Sequence, residues 1–468
     1  LKSVFALCGG GILDSPLSSN QVIMSAAPVQ PAPRWRFLLR ALEHRNYRLF
    51  FSGQTLSLIG TWMTRIATSW LIYRLTGSAW MLGLIGFLGQ VPTFLLGPFA
   101  GVWVDRWSRH KTLVWTQVLS MVQSFALAAL AFSGYISVWH IALLSVMQGI
   151  INAFDTPARQ TFLIEMVGDR NVLSNAIALN STMVNIARLL GPAIGGLIIA
   201  AVGEAWCFTI DGISYIAVIA SLLMMTVAAS APRRRDEENL WRELREGFGY
   251  VSSSVPIRAI LLLLAIVSLV GMPYSVLLPI FASQIFHGGA HTLGMLMGCT
   301  GVGALIAAVT MAARRSILGL GRRIGLAAML FGSGILIFSF SRNLALSAAM
   351  LLMTGFAMMQ HMASSNTILQ TISDPDKRGR VMSYYTMAFM GMTPFGSLFG
   401  GAVAARFGAP RALAVSGLVC IASAGIYFFY LPAIRRALRP IYIELGILPH
   451  ITKAIDSAST LASDSTPQ

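Results

Sequence analysis

Twelve separate runs, each of about twenty or more predominantly apolar residues, leave this chain few ways to fold. A helix needs about 20 such residues to cross the hydrocarbon core of a bilayer. In lipid, every backbone polar group must also find its partner within the spanning structure. The runs cover roughly 47–73, 80–104, 111–134, 137–157, 174–202, 205–229, 258–283, 291–313, 324–341, 344–371, 381–407 and 409–432. They predict an all-α integral membrane protein with twelve transmembrane helices. Composition agrees: 11% of the 468 residues are charged and 55% are hydrophobic, whereas soluble domains are about a quarter charged. A soluble enzyme of this length is excluded.

Orientation follows from the basic residues. The net charge of +16 comes from 34 Lys+Arg against 18 Asp+Glu. In a soluble protein that excess would point to nucleic acid; here the basic residues punctuate apolar runs, and no nucleic-acid partner is expected. With a cytoplasmic N-terminus, 28 of them fall on the cytoplasmic side and only Arg74, Arg342, Arg406 and Arg411 on the other. Positive charge marks the cytoplasmic side, so both termini are placed there. The longest polar break, near 230–257, divides the chain into two six-helix halves. The expected organisation is a flexible segment 1–44, an N-terminal half 45–230, a cytoplasmic loop 231–257, a C-terminal half 258–432 and a tail 433–468. Met24 offers an alternative start that would leave 1–23 untranslated. Within the loop, Leu240, Leu244, Phe248 and Val251 share one helical face, suited to lying along the inner leaflet.

The chain shows no GxxxxGK[ST], HExxH or GxSxG pattern, so neither ATP hydrolysis by a P-loop nor these hydrolytic chemistries is expected. Cys8, Cys207, Cys299 and Cys420 are scattered, and no metal site or cofactor is predicted. Every Asp and Glu except Asp211 is expected at or near a membrane edge or outside the membrane. Polar residues inside the spans are more informative. Gln54, Ser57, Thr61, Thr64 and Thr68 stripe the first span, with Arg65 beside them. Gln148, Asn152, Asp155 and Arg159 stripe the fourth, and Gln360, Ser364, Thr367 and Thr371 the tenth. Ser268, Met272, Ser275 and Pro279 repeat the pattern faintly in the seventh. Such spacing shares one helical face. Small hydroxyl residues also serve close helix packing, but Gln54, Gln148, Asn152 and Gln360 are too large for that role alone. They point to a shared aqueous, substrate-binding cavity.

Between the second and third spans stands Gly101-Val-Trp-Val-Asp105-Arg106-Trp-Ser108-Arg109-His-Lys111. In the fifth stands Ala187-Arg-Leu-Leu-Gly191-Pro192-Ala-Ile-Gly195-Gly196. With twelve spans in two halves, these motifs resemble those of the major facilitator superfamily of secondary transporters. The first is similar to its G-x-L-A-D-R-x-G-R-[KR]-[KR] loop, with Ser108 in place of the second glycine. The second is similar to the G-x-x-x-G-P-x-x-G-G motif of its proton-driven exporters, with Ala187 in place of the first glycine. Asn152-Ala-Phe-Asp155-Thr-Pro157-Ala-Arg159-Gln160 and Asp374-Pro-Asp376-Lys-Arg378-Gly379-Arg380 resemble the enterobactin-exporter-like, transmembrane secretion effector branch. The arginine that many drug–proton antiporters carry four residues before a glycine of the fourth span is absent: Ser145 precedes Gly149.

The resemblance implies a monomeric secondary active transporter of the bacterial inner membrane. It would be a proton-coupled exporter of small amphipathic molecules, of siderophore or drug type, working by alternating access. Its partners would be a small-molecule substrate, protons and the bilayer. A uniporter or importer of the same fold is the alternative; a non-transporting scaffold or membrane enzyme is a more distant one. The loop motif implies a gating latch in which Asp105 meets the start of the eleventh span. Ionisable residues within spans are functional candidates because their burial is costly. Arg65, Arg188 and Asp211 are the strong ones here. Depth favours Arg65 over Arg188 as the partner of Asp211, either as a static ion pair or as one that parts when Asp211 takes up a proton.

Overall fold

The computed structural model of the protein describes residues 40–167, 170–226, 240–314 and 316–447; inside its helices the side chains of Asp105 and of 240–244 are among those outside the described set. Every regular element there is helical. In chain order these are α1 (Arg45–Thr76), α2 (Ala79–Leu88), α3 (Val91–Arg106), α4 (Arg109–Phe132), α5 (Val138–Val167), α6 (Arg170–Val202) and α7 (Glu204–Leu223). They continue with α8 (Leu240–Ser253), α9 (Val255–Ile285), α10 (Ala290–Ala312), α11 (Leu320–Phe340), α12 (Leu344–Ile372), α13 (Arg378–Phe407) and α14 (Ala409–Glu444).

Among the described residues, eleven helices are long and apolar enough to cross a membrane, α2 counting with the start of α3 as one. The exception among the expected spans is α1. Its 32 residues reach about 48 Å at 1.5 Å per residue, so length is sufficient. Its Gln54, Thr55, Thr61, Thr64, Arg65 and Thr68 dilute its hydropathy.

Sharp reversals have local causes. Gly77, at φ 59°, ends α1 with its N–H on the Tyr73 carbonyl, and Ser78 then caps α2. A left-handed cap is the conformation glycine adopts without a Cβ penalty. Ser108 sits at φ −68° and caps α4 by accepting from the Lys111 N–H. The turn of the loop motif thus forms through a side-chain cap and needs no residue at positive φ. Several helices outrun their apolar runs. The fourth, expected to stop at 157, continues through Pro157 to Val167, and the last passes Pro432 and Pro440 to Glu444. Neighbouring helices re-satisfy the backbone groups that proline frees in membrane helices.

Consecutive helices pack in two groups, α1–α7 and α9–α14. Between the groups, α6 meets α10 and α2 meets α13. A buried apolar cluster that includes Ile66, Leu82, Ile199, Ala290, Leu293 and Ala404 draws on both groups. A second cluster, built on Tyr47, Phe50, Leu113, Phe162 and Leu222, belongs to the first group alone. These residues mark the end of the bundle that carries both described termini. The core that the groups share lies toward the far end. The amphipathic α8 docks on the second group: Arg380 pairs with Glu246 at 2.8 Å, and the tilted rings of Phe248 and Tyr384 lie 6.5 Å apart. The side chains of Leu240 and Leu244, expected on its apolar face, lie outside the described residues.

Candidate functional site

A buried polar seam runs through the first group. On α4, Thr112, Thr116, Gln117, Ser120, Gln123 and Ser124 are all buried, on one face by their three- and four-residue spacing. Thr116 Oγ1 and Gln117 Nε2 donate to Asp155 Oδ1 at 3.0 and 2.7 Å, and Arg159 pairs with the other oxygen. Gln148 Nε2 donates to Ser120 Oγ and to Asn152 Oδ1 at 3.4 and 3.2 Å. Further along, Ser124 Oγ and Thr64 Oγ1 each donate to Asp211 Oδ2 at 2.9 Å. Asp155 too is buried in the protein, 3% exposed, on a helix that continues to Val167. The α4 face was overlooked in the sequence, although Thr112, Thr116, Ser120 and Ser124 recur there every fourth residue.

The α1 stripe packs against α7. Gln54 and Ser57 are buried. Thr61 Oγ1 donates to the Ser57 carbonyl at 2.9 Å and lies 3.3 Å from the Tyr215 hydroxyl. A Cβ on Gly60 would stand 2.8 Å from Asp211 Oδ1, and one on Gly53 2.6 Å from Ser221 Oγ. Small residues let helices approach this closely in lipid. In the second group, Gln360 donates to Thr310 Oγ1 at 2.8 Å across the α10–α12 contact, and Ser364 is fully buried with its hydroxyl unpartnered. His361 is also buried, with Nδ1 3.2 Å from the Ile324 carbonyl oxygen.

Where the groups meet, two arginines converge on one ring. The guanidinium of Arg65 lies 4.6 Å from the Trp62 ring centroid, and that of Arg188, from α6, lies 5.3 Å from the same centroid. The two charges are therefore less than about 10 Å apart, a range at which like charges repel in a medium less polar than water. Tyr274, from α9, is buried and packs edge-on against Phe331. Ion pairs among the described residues join Arg74 to Glu204, Arg109 to Glu165, Arg159 to Asp155, Lys377 to Asp374 and Arg380 to Glu246; neither Arg65 nor Arg188 enters one. The Nε of Arg188 is buried without a hydrogen-bond partner. Arg65 thus meets Arg188, and Asp211 meets two hydroxyls instead of Arg65. The sequence reading missed Trp62; an aromatic residue one turn before a membrane arginine was the available signal.

The glycines of α6 have separate duties. Gly191 abuts Trp62, and a Cβ on Gly195 would stand 3.2 Å from Met63 Cα, so both fit α6 to α1. Gly196 faces the other group: its Cβ would lie 2.7 Å from the Ala290 carbonyl oxygen and 2.9 Å from Gly294 Cα. Pro192 contributes the carbonyl oxygen that a Cβ on Gly294 would meet at 2.5 Å. Helix α13 repeats the arrangement with Gly396, Gly400 and Gly401, in the same G-x-x-x-G-G spacing. Gly396 abuts the Leu269 carbonyl in a π-helical turn of α9 (Val267–Gly271), and Gly400 abuts Pro273. A Cβ on Gly401 would lie 2.7 Å from Gly83 Cα, and one on Gly83 2.5 Å from the Ser397 carbonyl oxygen. Two matched glycine–glycine crossings thus close the far end. Toward the terminus end, Ser181 and Thr182 of α6 and Met387 and Met390 of α13 are exposed.

In the loop motif, Arg109 pairs with Glu165 at the end of α5. The Asp105 side chain, and with it the expected latch, lies outside the described residues. A Cβ on Gly101 would meet nothing within 4 Å. Cys207, Cys299 and Cys420 are free, and among the described residues no three His, Cys, Asp or Glu side chains converge as metal ligands.

Comparison with known proteins places this architecture. The staphyloferrin A transporter of Staphylococcus aureus is 26% identical over 82% of this chain and 95% of its own length. A macrolide efflux protein of Streptococcus pyogenes is 25% identical over 81% of this chain and 96% of its own. The enterobactin exporter of Shigella boydii is 26% identical over 59% of this chain and 65% of its own. Among solved structures, a bacterial homologue of the lysosomal transporter Spinster in an inward-facing conformation superposes with a TM-score of 0.63 at 14% identity. That alignment covers 87% of this chain and 99% of the other. A POT family transporter reaches 0.66 at 11% identity, covering 83% and 96%. The family model described as transmembrane secretion effector matches residues 39–441. The chain is therefore a multi-pass membrane transporter, not an enzyme, and it belongs to the transmembrane secretion effector family of the major facilitator superfamily.

Proposed function

We propose that this transporter is a proton-coupled exporter of small amphipathic molecules, of siderophore or drug type, in a bacterial inner membrane. On this reading twelve spans form two six-helix halves, both termini face the cytoplasm, and the protein works as a monomer. The observation that carries the proposal is the matched pair of glycine crossings, Gly196–Gly294 and Gly83–Gly401, at one end of a bundle whose other end exposes α6 and α13. Backbones this close form an interface that is either fully made or parted. Two related interfaces let two rigid halves rock about a central site, the movement of alternating access. The end carrying the termini is assigned to the cytoplasm by the 28-to-4 distribution of basic residues. The conformation is then closed to the outside, ready to load from within.

Coupling is assigned to Asp211. Its carboxylate takes two hydroxyls, keeps Oδ1 buried and unpartnered, and has no cation in ion-pair contact. Protonation would relieve the cost of a buried charge, and it would alter the hydrogen bonds to Thr64 and Ser124, which tie α7 to α1 and α4. Asp155, already neutralised by Arg159, is assigned a structural role. The test is accumulation of a panel of siderophores, antibiotics and dyes in a pump-deficient bacterial host. The transporter should lower accumulation of at least one compound, and a protonophore should abolish the effect. Unchanged accumulation across the whole panel would count against export.

A further inference from the structure

We infer that Arg65 and Arg188 form an anion-binding site that takes a carboxylate of the transported molecule, with Trp62 as its floor. The geometry makes the case. Two guanidiniums share the face region of one indole at 4.6 and 5.3 Å from its centroid, and among the described residues no acidic side chain pairs with either. Within the membrane, charged side chains ordinarily pair with each other or line a pathway. Asp211 is instead held by hydrogen bonds from Thr64, about 100° around α1 from Arg65, and from Ser124 of α4. Arg188 keeps its Nε buried and without an acceptor, while Arg65 is exposed and open to a ligand.

Position adds to the argument. Arg65 stands about 16 Å and Arg188 about 21 Å along their helices from the far ends. The site is built on α1 and α6 of one group, where α6 abuts α10 of the other. The Arg188 carbonyl oxygen and Leu189 lie against Gly301 of α10, where a Cβ would stand 3.1 and 2.8 Å from them. Rocking of the groups therefore moves α10 relative to the arginines. A ligand held here would be gripped in one state and released in the other. The planar guanidinium fork matches a carboxylate in bidentate fashion. Two uncompensated positive charges disfavour a cationic ligand by the same electrostatics.

This assignment rests on the reading of the protein as a transporter, and binding measured without transport keeps the two separate. Citrate is the probe carboxylate, tetraphenylphosphonium the probe cation, and phosphate and chloride the inorganic anions. Isothermal titration on the purified full chain should detect citrate binding. Arg65→Gln and Arg188→Gln should each weaken it at least tenfold, and the double variant should abolish it. Arg65→Lys should weaken it at least threefold, because charge persists while the fork is lost; this variant carries the test if the glutamine variants are not recovered folded. Citrate affinity unchanged in these variants overturns the inference. So does phosphate or chloride binding as tightly as citrate, which would make this an inorganic-ion site. A wild-type protein that exports a cationic dye yet binds no citrate overturns the carboxylate site and leaves export standing. Citrate binding lost with the arginines, in a protein that exports nothing from the panel, supports the site and fails the export reading.

Discussion

Replacing Gly196 by alanine tests the closure of the far end directly. The added Cβ would stand 2.7 Å from the Ala290 carbonyl oxygen and 2.9 Å from Gly294 Cα. Both contacts are backbone, so no side chain can swing aside, and ordinary contact requires α6 and α10 to part by about half an ångström or more. Overpacking of this kind costs about 1–3 kcal/mol. That cost falls only on the conformation in which the helices touch. The balance between closed and open far ends should therefore shift by about 5- to 150-fold toward the open state. Spin labels at Ser133 and Arg342, in far-end loops of the two groups, would report it as a longer distance population. Export should fall in parallel. Gly401→Ala, at the matched crossing with Gly83, should act in the same direction. Gly425→Ala is the control, since its Cβ would meet nothing within 4 Å. A Gly196→Ala protein with wild-type distances and wild-type export would refute the argument that these crossings set the closed state.

Four further outcomes are expected. Asp211→Asn should abolish uphill transport driven by a pH gradient in proteoliposomes while sparing downhill exchange; equal loss of both, or of neither, would falsify coupling through this carboxylate. Asp155→Ala should destabilise the protein by about 3 kcal/mol, because Arg159 and Gln117 lose the acceptor they share in a buried seam; an unchanged thermal midpoint in detergent would contradict that role. Reporter enzymes fused after Ser133–Gly134 or after Arg342 should read as periplasmic and fusions within 233–250 as cytoplasmic, and reversal at any two sites would sink the topology. Asp105→Asn should impair transport without reducing membrane insertion if the loop motif works as a latch, and full transport would remove that role.

The α6 glycines were legible as packing residues because that role is carried in local spacing. Ser108 shows the limit of such reading: the glycine it replaces raised the question of how the turn forms, and only the backbone showed a capped helix start. Asp155 shows another. An apolar run that fades near 157 looks like a helix end, but α5 continues with one face, that of Ala158, Phe162 and Met166, buried against protein. The polar stripe of α1 was read correctly as a face, since three- and four-residue spacing fixes which side chains share a side. What that face meets is α7.

Sequence alone therefore determined what each segment must do to survive in lipid: helical backbone, length near the bilayer thickness, and basic residues on one side. These are demands of the solvent on each residue separately, so they leave a local trace. Tertiary structure decided which polar faces meet. It gave Asp211 to Thr64 and Ser124, and brought Arg65 and Arg188 onto Trp62. It also matched Gly191-x-x-x-Gly195-Gly196 with Gly396-x-x-x-Gly400-Gly401 as two halves of one closure. Such pairings join residues far apart in the chain, and a helix's own periodicity carries no information about which neighbour its face will find.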